Sequence, residues 1–290
     1  MDYTLREWVG LACHYSTIAE AAAAVQARES GAGTEDVRAV LRRHLQCMKD
    51  AVQNGLDERL RSVSGLTGGQ AAMLLARLKS GKSLCGTLLG KAETYALATA
   101  ECNACMGKIV AAPTAGACGI LPGAMLAMME ERGIGEDQVV DAMLVAAAVG
   151  QSIATQASIS GAEGGCQAEC GAGAAMAAAA LTFLEGGSPQ QCVDAAAFAI
   201  MNLLGLVCDP VGGLVEVPCV YRNVGASGVA FTAADMVLSG IRCPIDPDEV
   251  ILAVTEVGDA LPASLRETGE GGCAACESIN IRLRMMQEKT

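Results

Sequence analysis

Three cysteines of this sequence stand in short segments that are rich in glycine or proline. Cys166 follows two glycines, Cys208 comes shortly before two glycines, and Cys219 follows a proline. Glycine lets backbone amides approach a bound group closely, and a neighbouring proline restricts the path of the chain. Thiolates held in this way are typical ligands of metals. A shared metal site is one hypothesis for these cysteines, and free cysteines buried in a helical core, which are common, are the alternative.

Cysteine is frequent in this sequence and histidine is rare. The chain has 14 cysteines and two histidines in 290 residues. Charged residues interrupt any apolar segment near the N-terminus, so we expect no signal peptide and a cytoplasmic protein with reduced thiols. Sites rich in thiolate and poor in histidine suit iron–sulfur clusters or zinc bound by four cysteines. His44 lies on an apolar helical stripe and is expected in the core or at an interface.

The net charge argues against two classes of partner. A formal net charge of −12 repels phosphate backbones and anionic lipid surfaces. We therefore expect no nucleic-acid binding and no membrane binding. The most apolar stretch, residues 143–159, contains glutamine, serine and threonine side chains, so no membrane-spanning segment is expected.

The apolar residues are mostly small. Hydrophobic residues make up 52% of the chain but aromatic residues only 3%, so helices must pack closely to leave no gaps. Alanine also favours helices over other structure. We predict an all-α fold with a single domain over residues 1–290, in which residues 1–34 form an N-terminal helical extension. The domain is expected to be one large bundle of buried Ala-rich helices whose glycine-rich loops converge on the cysteines.

Apolar residues at three- and four-residue spacing place the individual helices. Residues 5–55 are predicted to be helical, with Thr34 as an N-cap before Glu35 and Asp36. The one strand pattern covers residues 214–217. Further helices are predicted at residues 71–78, 121–131, 137–157, 174–184, 189–204, 229–238 and 246–257, and loops at 62–70, 112–119, 158–173 and 208–213.

The three cysteine segments resemble the alpha chain of the iron–sulfur-dependent L-serine dehydratases, which use no pyridoxal phosphate. The similarity also takes in residues 64–69, 106–116 and 264–269, and the order and spacing of motifs agree from about residue 35 to residue 275. The intervals of 42 residues from Cys166 to Cys208 and of 11 residues to Cys219 are those of the family's cluster ligands.

The resemblance implies that Cys166, Cys208 and Cys219 hold a [4Fe–4S] cluster with one iron free of protein thiolate. That iron would bind the hydroxyl of L-serine as a Lewis acid and stabilise its departure. The aminoacrylate product would then hydrolyse to pyruvate and ammonia. The implied role is amino-acid degradation that supplies pyruvate, and hence gluconeogenesis.

The resemblance also implies a substrate site made of two polar loops, each of which leads into a helix N-terminus that favours a carboxylate. Proton transfer would fall to Lys108, to Glu163 or to a separate β chain. Arg222 would aid the substrate or the cluster sulfurs, or serve structure alone. The residues assigned to substrate binding are Ser64, Thr67, Gly68, Thr114, Gly116 and Arg222.

Three positions depart from the family pattern. Val63, Gln70 and Ala117 stand where members commonly have histidine, aspartate and serine. These changes motivate an alternative function: a cluster-bearing subunit with impaired catalysis or another amino-acid substrate, such as threonine or cysteine, that serves assembly or sensing. Because members of this length usually pair with a β chain, the resemblance also implies that partner and an oligomeric protein.

Two further pairs of cysteines have the spacing of zinc-binding and redox motifs, with two residues between the cysteines. Cys102 and Cys105 form one pair, and Cys273 and Cys276 form the other. Zinc bound by all four is one hypothesis, and packing as small apolar side chains is the alternative. A cysteine of the C-terminal pair could also cap the open iron of the cluster.

Overall fold

The computed structural model describes residues 2–279, and in that range the backbone is helical with no β-strand, which confirms the predicted all-α fold. One isolated parallel bridge joins Cys208 to Arg266. A π-helical turn covers Gln167–Gly171, and short 3₁₀ turns cover Val211–Gly213, Ala263–Leu265 and Gly272–Ala275. The α-helices are α1 (Leu5–Tyr15), α2 (Ile18–Ser30), α3 (Thr34–Gly55), α4 (Gln70–Lys79), α5 (Gly86–Ala104), α6 (Ile120–Arg132), α7 (Glu136–Gln156), α8 (Gly161–Gly164), α9 (Ala172–Leu184), α10 (Pro189–Leu203), α11 (Cys219–Leu238) and α12 (Pro247–Ala260).

Helix α9 lies at the centre of the bundle and packs against α6, α7, α10 and α11. Its residues from Ala172 to Thr182 are all buried. Small side chains let the surrounding helices approach one another closely. On α6, a Cβ atom added at Gly123 would lie 2.6 Å from the carbonyl oxygen of Ala92 on α5, so glycine is required at that crossing. The small apolar residues therefore allow close helix packing, as the sequence predicts.

The first two helices pack onto the same core. Leu5, Trp8 and Ile18 are buried and belong to an apolar cluster that extends to Val254 on α12. The backbone amide of Leu5 also donates a hydrogen bond of 2.8 Å to Asp248 at the start of α12. Residues 2–30 are thus held against the remainder of the described chain.

Several predicted boundaries are wrong. Residues 5–55 are helical as predicted and form three helices, but the N-cap of α3 is Gly33 rather than Thr34, since the amide of Gly33 donates to Asp36 and Thr34 is already helical. His44 is exposed on α3, so the first of its two predicted places, the core, is wrong. Residues 214–217 form no strand, because the amide of Val211 bonds to the carbonyl oxygen of Val217 and closes a compact loop.

Two further differences concern the site. Helix α11 begins at Cys219, ten residues before the predicted start, because polar side chains at its beginning hide the apolar pattern. The predicted loop over residues 158–173 contains α8 and the π-helical turn. These corrections place both Cys166 and Cys219 at helix starts, where the backbone is rigid.

Among residues 2–279, α7 is the one helix that is long and apolar enough to cross a membrane. Two thirds of its most apolar window, 67%, is nevertheless buried inside the bundle, where α7 packs against α2 and α9. A central helix of a helical bundle is apolar for the same reason.

Candidate functional site

The three cysteines that the sequence singles out lie on three different elements. Cys166 directly precedes the π-helical turn, Cys208 lies in the loop after α10, and Cys219 is the first residue of α11. All three are buried, with 2%, 3% and 7% of their surface exposed. The structure therefore brings together residues that are far apart in the sequence.

The thiols of these cysteines influence one another electrostatically. Burial raises the pKa of Cys219 to about 12, and the nearby Cys166 acts in the same direction. Burial and then Cys166 also raise the pKa of Cys208. The pKa of Cys166 itself is lowered, because the hydrogen bond with Cys170 and the positive charge of Arg222 outweigh its burial. Metal binding to this group would therefore displace protons from Cys208 and Cys219.

Arg222 is held beside Cys166 by two acceptors. Its guanidinium donates to Asp209 Oδ1 at 2.7 Å and to the carbonyl oxygen of Val207 at 2.7 Å. Asp209 is itself buried and accepts a second hydrogen bond, 2.6 Å long, from the amide of Cys273. Arg222, which the sequence assigned to substrate binding, is thus oriented towards the sulfur atom of Cys166.

Glu169, which no sequence motif singled out, lies in the π-helical turn and points into the site. A Cβ atom added at Gly161 would lie 2.8 Å from Cys208 Sγ and also 2.8 Å from Glu169 Oε2, so the glycine makes room for both groups. One added at Gly116 would lie 3.1 Å from either oxygen of the same carboxylate. Burial raises the pKa of Glu169, while the nearby Thr114 hydroxyl acts in the opposite direction. Glu169 follows Cys166 by three residues, and this helical spacing was the sequence signal that could have identified it.

The structure does not bring the two predicted proton-transfer residues to the cysteines. Lys108 is exposed in the segment after α5. Glu163 is exposed on α8 and accepts a hydrogen bond of 2.5 Å from the hydroxyl of Ser158. It borders a surface cavity of about 350 Å³ with Asp259 and Arg266. Neither side chain is among the main causes of the pKa shifts of Cys166, Cys208 and Cys219.

The first predicted substrate loop is already bound to a carboxylate of the protein. The amides of Gly68, Gln70 and Ala71 donate to the carboxylate of Glu101 at 2.9, 3.1 and 3.0 Å. Glu101 is completely buried on α5. The predicted anion site at the start of α4 is therefore filled by Glu101, and the amide of Gly68 is not available to a substrate carboxylate.

The remaining groups of this loop are held near Cys219. Ser64 donates from its amide and its hydroxyl to Glu216, at 3.0 and 2.5 Å, and Glu216 precedes Cys219 by three residues. The hydroxyl of Thr67 is buried and has no hydrogen-bond partner within residues 2–279. Thr67 is thus a polar group of the loop that remains available for binding.

The second predicted substrate loop is tied to α11 by Asn223. The side-chain amide of Asn223 donates to the carbonyl oxygens of Gly116 and Cys219 at 2.7 and 2.9 Å, and its oxygen accepts from the amide of Gly119 at 2.8 Å. The hydroxyl of Thr114 is buried close to the carboxylate of Glu169. Gly116 lies beside the same carboxylate.

The three departures from the family pattern have different surroundings. Val63 is exposed, and Gln70 begins α4 with its amide bonded to Glu101. Ala117 is completely buried, and its Cβ would lie 3.3 Å from a Cβ added at Gly173 on α9. A small residue at position 117 is consistent with this tight contact.

The hypothesis of a zinc site gains no support. Cys102 is buried, whereas Cys273 and Cys276 are exposed. Within residues 2–279, no group of three or more His, Cys, Asp and Glu side chains is close enough to hold one metal ion. Three thiolates of a cluster bind three different irons, so they need not converge on one point in this way.

Comparison with known proteins decides the family. Residues 14–274 match the family model described as the serine dehydratase alpha chain. The chain belongs to this family. It is 49% identical over 241 residues to the probable L-serine dehydratase alpha chain of Bacillus subtilis, which covers 83% of this chain and 80% of that protein. The predicted resemblance is thus confirmed over a somewhat longer range.

Other relatives differ in length. The L-serine dehydratase alpha chain of Peptoniphilus asaccharolyticus is 49% identical over 201 residues, which are 69% of this chain and 68% of that one. The L-serine dehydratase of Streptomyces coelicolor is 45% identical over 182 residues, which are 62% of this chain but 40% of that protein. Members of this family therefore match this chain both as alpha chains and as part of a longer protein.

Proposed function

We propose that this protein converts L-serine to pyruvate and ammonia, with a [4Fe–4S] cluster held by Cys166, Cys208 and Cys219. Membership of the serine dehydratase alpha chain family supports the reaction and the substrate. The observation that carries the proposal is the group of three buried thiols with Glu169 beside them. The alternative of a subunit without catalysis is not favoured, because the relatives bear the names of dehydratases.

The residues present fit such a cluster. Thiolates are its usual ligands, and the three cysteines are shielded from water. Gly161 and Gly116 leave space next to the sulfurs and the carboxylate that any other residue would fill. Arg222, fixed by Asp209, can donate a hydrogen bond to the sulfur of Cys166. We therefore assign Arg222 to the ligand rather than to the substrate.

When bound, the cluster supplies a Lewis-acidic iron for the departing hydroxyl group. The protein must then supply a group that takes the Cα proton. We assign this role to Glu169, whose carboxylate lies next to Cys208 Sγ, whereas Lys108 and Glu163 are exposed. A carboxylate with a raised pKa is a better base than an ordinary one near neutral pH.

The buried hydroxyl groups of Thr67 and Thr114 are the best candidates for holding the substrate. Thr114 lies close to Glu169, and Thr67 lies in the loop that Glu216 holds near Cys219. Each hydroxyl can donate to a carboxylate or accept from an amine. Burial of the Thr67 hydroxyl without a partner is unfavourable, so a ligand that bonds to it gains binding energy.

We also propose that a separate β chain completes the enzyme in an oligomeric protein. The dehydratase of Streptomyces coelicolor matches this chain over 40% of its own length, so it contains a large part for which this chain has no counterpart. A second chain can provide that part. We keep the expectations of a cytoplasmic protein without pyridoxal phosphate, which acts in amino-acid degradation.

The experiment that tests the proposal is an assay of iron, acid-labile sulfide and L-serine turnover in protein purified without oxygen. We expect about four irons and four sulfides per chain, the composition of a [4Fe–4S] cluster. Pyruvate formation from L-serine is then measured with and without a candidate β chain, with L-threonine and L-cysteine as alternative substrates. Absence of iron after anaerobic reconstitution would contradict the cofactor. A complete cluster without turnover of any of the three amino acids would contradict the reaction.

A further inference from the structure

The cysteine site contains a fourth thiol that the proposed ligand set does not use. A hydrogen bond joins the thiols of Cys166 and Cys170, and the two sulfur atoms are 3.3 Å apart. Both side chains are buried. No such contact joins Cys166 to Cys208 or Cys219 in the described part of the chain. The nearest reaction partner of the Cys166 sulfur is therefore Cys170.

The local backbone explains this contact. Cys166 immediately precedes the π-helical turn at Gln167–Gly171, and Cys170 lies within that turn. Residues four apart on a helical backbone lie on the same face. The pair is therefore formed by one continuous segment and does not depend on the loops that carry Cys208 and Cys219.

We propose that Cys166 and Cys170 form an intramolecular disulfide when the metal-free chain meets hydrogen peroxide. Two thiols and one peroxide give one disulfide and two molecules of water. The two S–H bonds and the O–O bond break, and the S–S bond forms. The sulfurs are oxidised while the peroxide oxygens are reduced. Bonded sulfurs are about 2.0 Å apart, so rotation of the side chains must close a gap of about 1 Å.

The disulfide makes Cys166 unavailable for iron binding, but it also protects the Cys166 sulfur from further oxidation. A thiolate without a partner is oxidised further to sulfinic acid, which a thiol does not reverse. A disulfide is reversed by a dithiol through thiol–disulfide exchange. The consequence for iron binding rests on the proposed function, but the disulfide itself does not.

The first test maps the thiols of the metal-free, full-length protein after treatment with hydrogen peroxide. The free thiols are alkylated under denaturing conditions, and the digested peptides are weighed by mass spectrometry. We expect the peptide that contains Cys166 and Cys170 to carry no alkyl group and to be lighter by two hydrogen atoms than its reduced form. Treatment with dithiothreitol should make both residues reactive. Alkylation of both after peroxide, or a link from Cys166 to Cys208 or Cys219, would overturn the proposal.

The second test measures iron uptake after the same treatment. Wild-type protein should lose iron uptake after peroxide and regain it with dithiothreitol. The variants Cys170→Ala and Cys170→Ser should take up iron before the treatment but should not regain it afterwards, because Cys166 then lacks its partner. Cys192→Ser, which removes a buried thiol on α10, is the matched control and should behave as wild type. Equal recovery of wild type and both Cys170 variants would refute the protective role.

The two proposals fail in distinguishable ways. If untreated wild-type protein takes up no iron, the cluster assignment fails, yet the mass of the peptide with Cys166 and Cys170 still decides whether the disulfide forms. If iron is taken up but both thiols can still be alkylated after peroxide treatment, the disulfide proposal is wrong and the cluster assignment is unaffected.

Discussion

Two glutamates of this protein, the completely buried Glu101 and the partly buried Glu169, have opposite surroundings. Glu101 accepts hydrogen bonds from three backbone amides at the start of α4. Glu169 lies next to thiols and the Thr114 hydroxyl, and no backbone amide in residues 2–279 donates to it. Burial raises the pKa of Glu169.

The difference separates a structural carboxylate from one that is free to react. Amides that are fixed in place satisfy Glu101, so its charge holds the loop at residues 64–71 and the start of α4 together. Glu169 has no such fixed donors and is open to a ligand.

The largest effect is expected from removing one of the thiols beside Glu169. Cys208→Ser should eliminate the cluster, since an alcohol does not replace a thiolate ligand, and with it all L-serine turnover. Iron and sulfide analysis of anaerobic protein measures the outcome. Cys192→Ser should retain iron and activity. Full iron content in the Cys208 variant would show that this cysteine is not a ligand.

The next largest effect is expected at Glu169. Glu169→Gln should lower kcat by about 10²–10⁴-fold, as is typical when a general base is removed. Iron content and the melting temperature should stay close to wild type, because the side chain keeps its size. Glu163→Gln is the matched control, and its kcat should be nearly unchanged because Glu163 is exposed. A similar loss of kcat in both variants, or no loss in Glu169→Gln, would show that Glu169 is not the general base.

Glu101 should affect stability rather than chemistry. Glu101→Ala removes the acceptor of three amides and should lower the free energy of unfolding by about 3 kcal/mol, at about 1 kcal/mol per lost bond. Urea unfolding measures this change. Glu101→Gln, which keeps one acceptor oxygen, should lose less. If Glu101→Ala unfolds like wild type but loses kcat, the structural role of Glu101 is wrong.

The smallest effect is expected at Ser64. Ser64→Ala removes one of two hydrogen bonds to Glu216 and should lower the free energy of unfolding by about 1 kcal/mol. Its amide still donates to Glu216, so the loop should keep its position. The KM for L-serine should therefore change little. An increase in KM of tenfold or more would instead place the Ser64 hydroxyl on the substrate.

Local patterns in the sequence predicted most helices and the three cysteines. Helices α4, α6, α7, α9, α10 and α12 lie close to their predicted positions, because each contains a regular run of apolar residues. The start of α11 was missed because Arg222 and Asn223 interrupt that pattern. Both polar side chains are instead satisfied by distant groups, Asp209 and Gly119.

The polar part of the site was predicted less well. Glu163 was one of the candidates for proton transfer, but its carboxylate is exposed and bonds to Ser158. The amide of Gly68 was expected to bind substrate, but Glu101 occupies it. Both residue types were suitable for the predicted roles. Tertiary packing decided the direction of the Glu163 side chain and the acceptor of the Gly68 amide.

The sequence by itself determined the helical class, the family and the three clustered cysteines, because each depends on local patterns or on motifs with regular spacing. Only the tertiary structure decided which carboxylate serves which purpose. Glu101 bonds to an amide 30 residues away, and Glu216 bonds to a serine 152 residues away. Such contacts depend on how whole helices pack, and no local pattern encodes that packing.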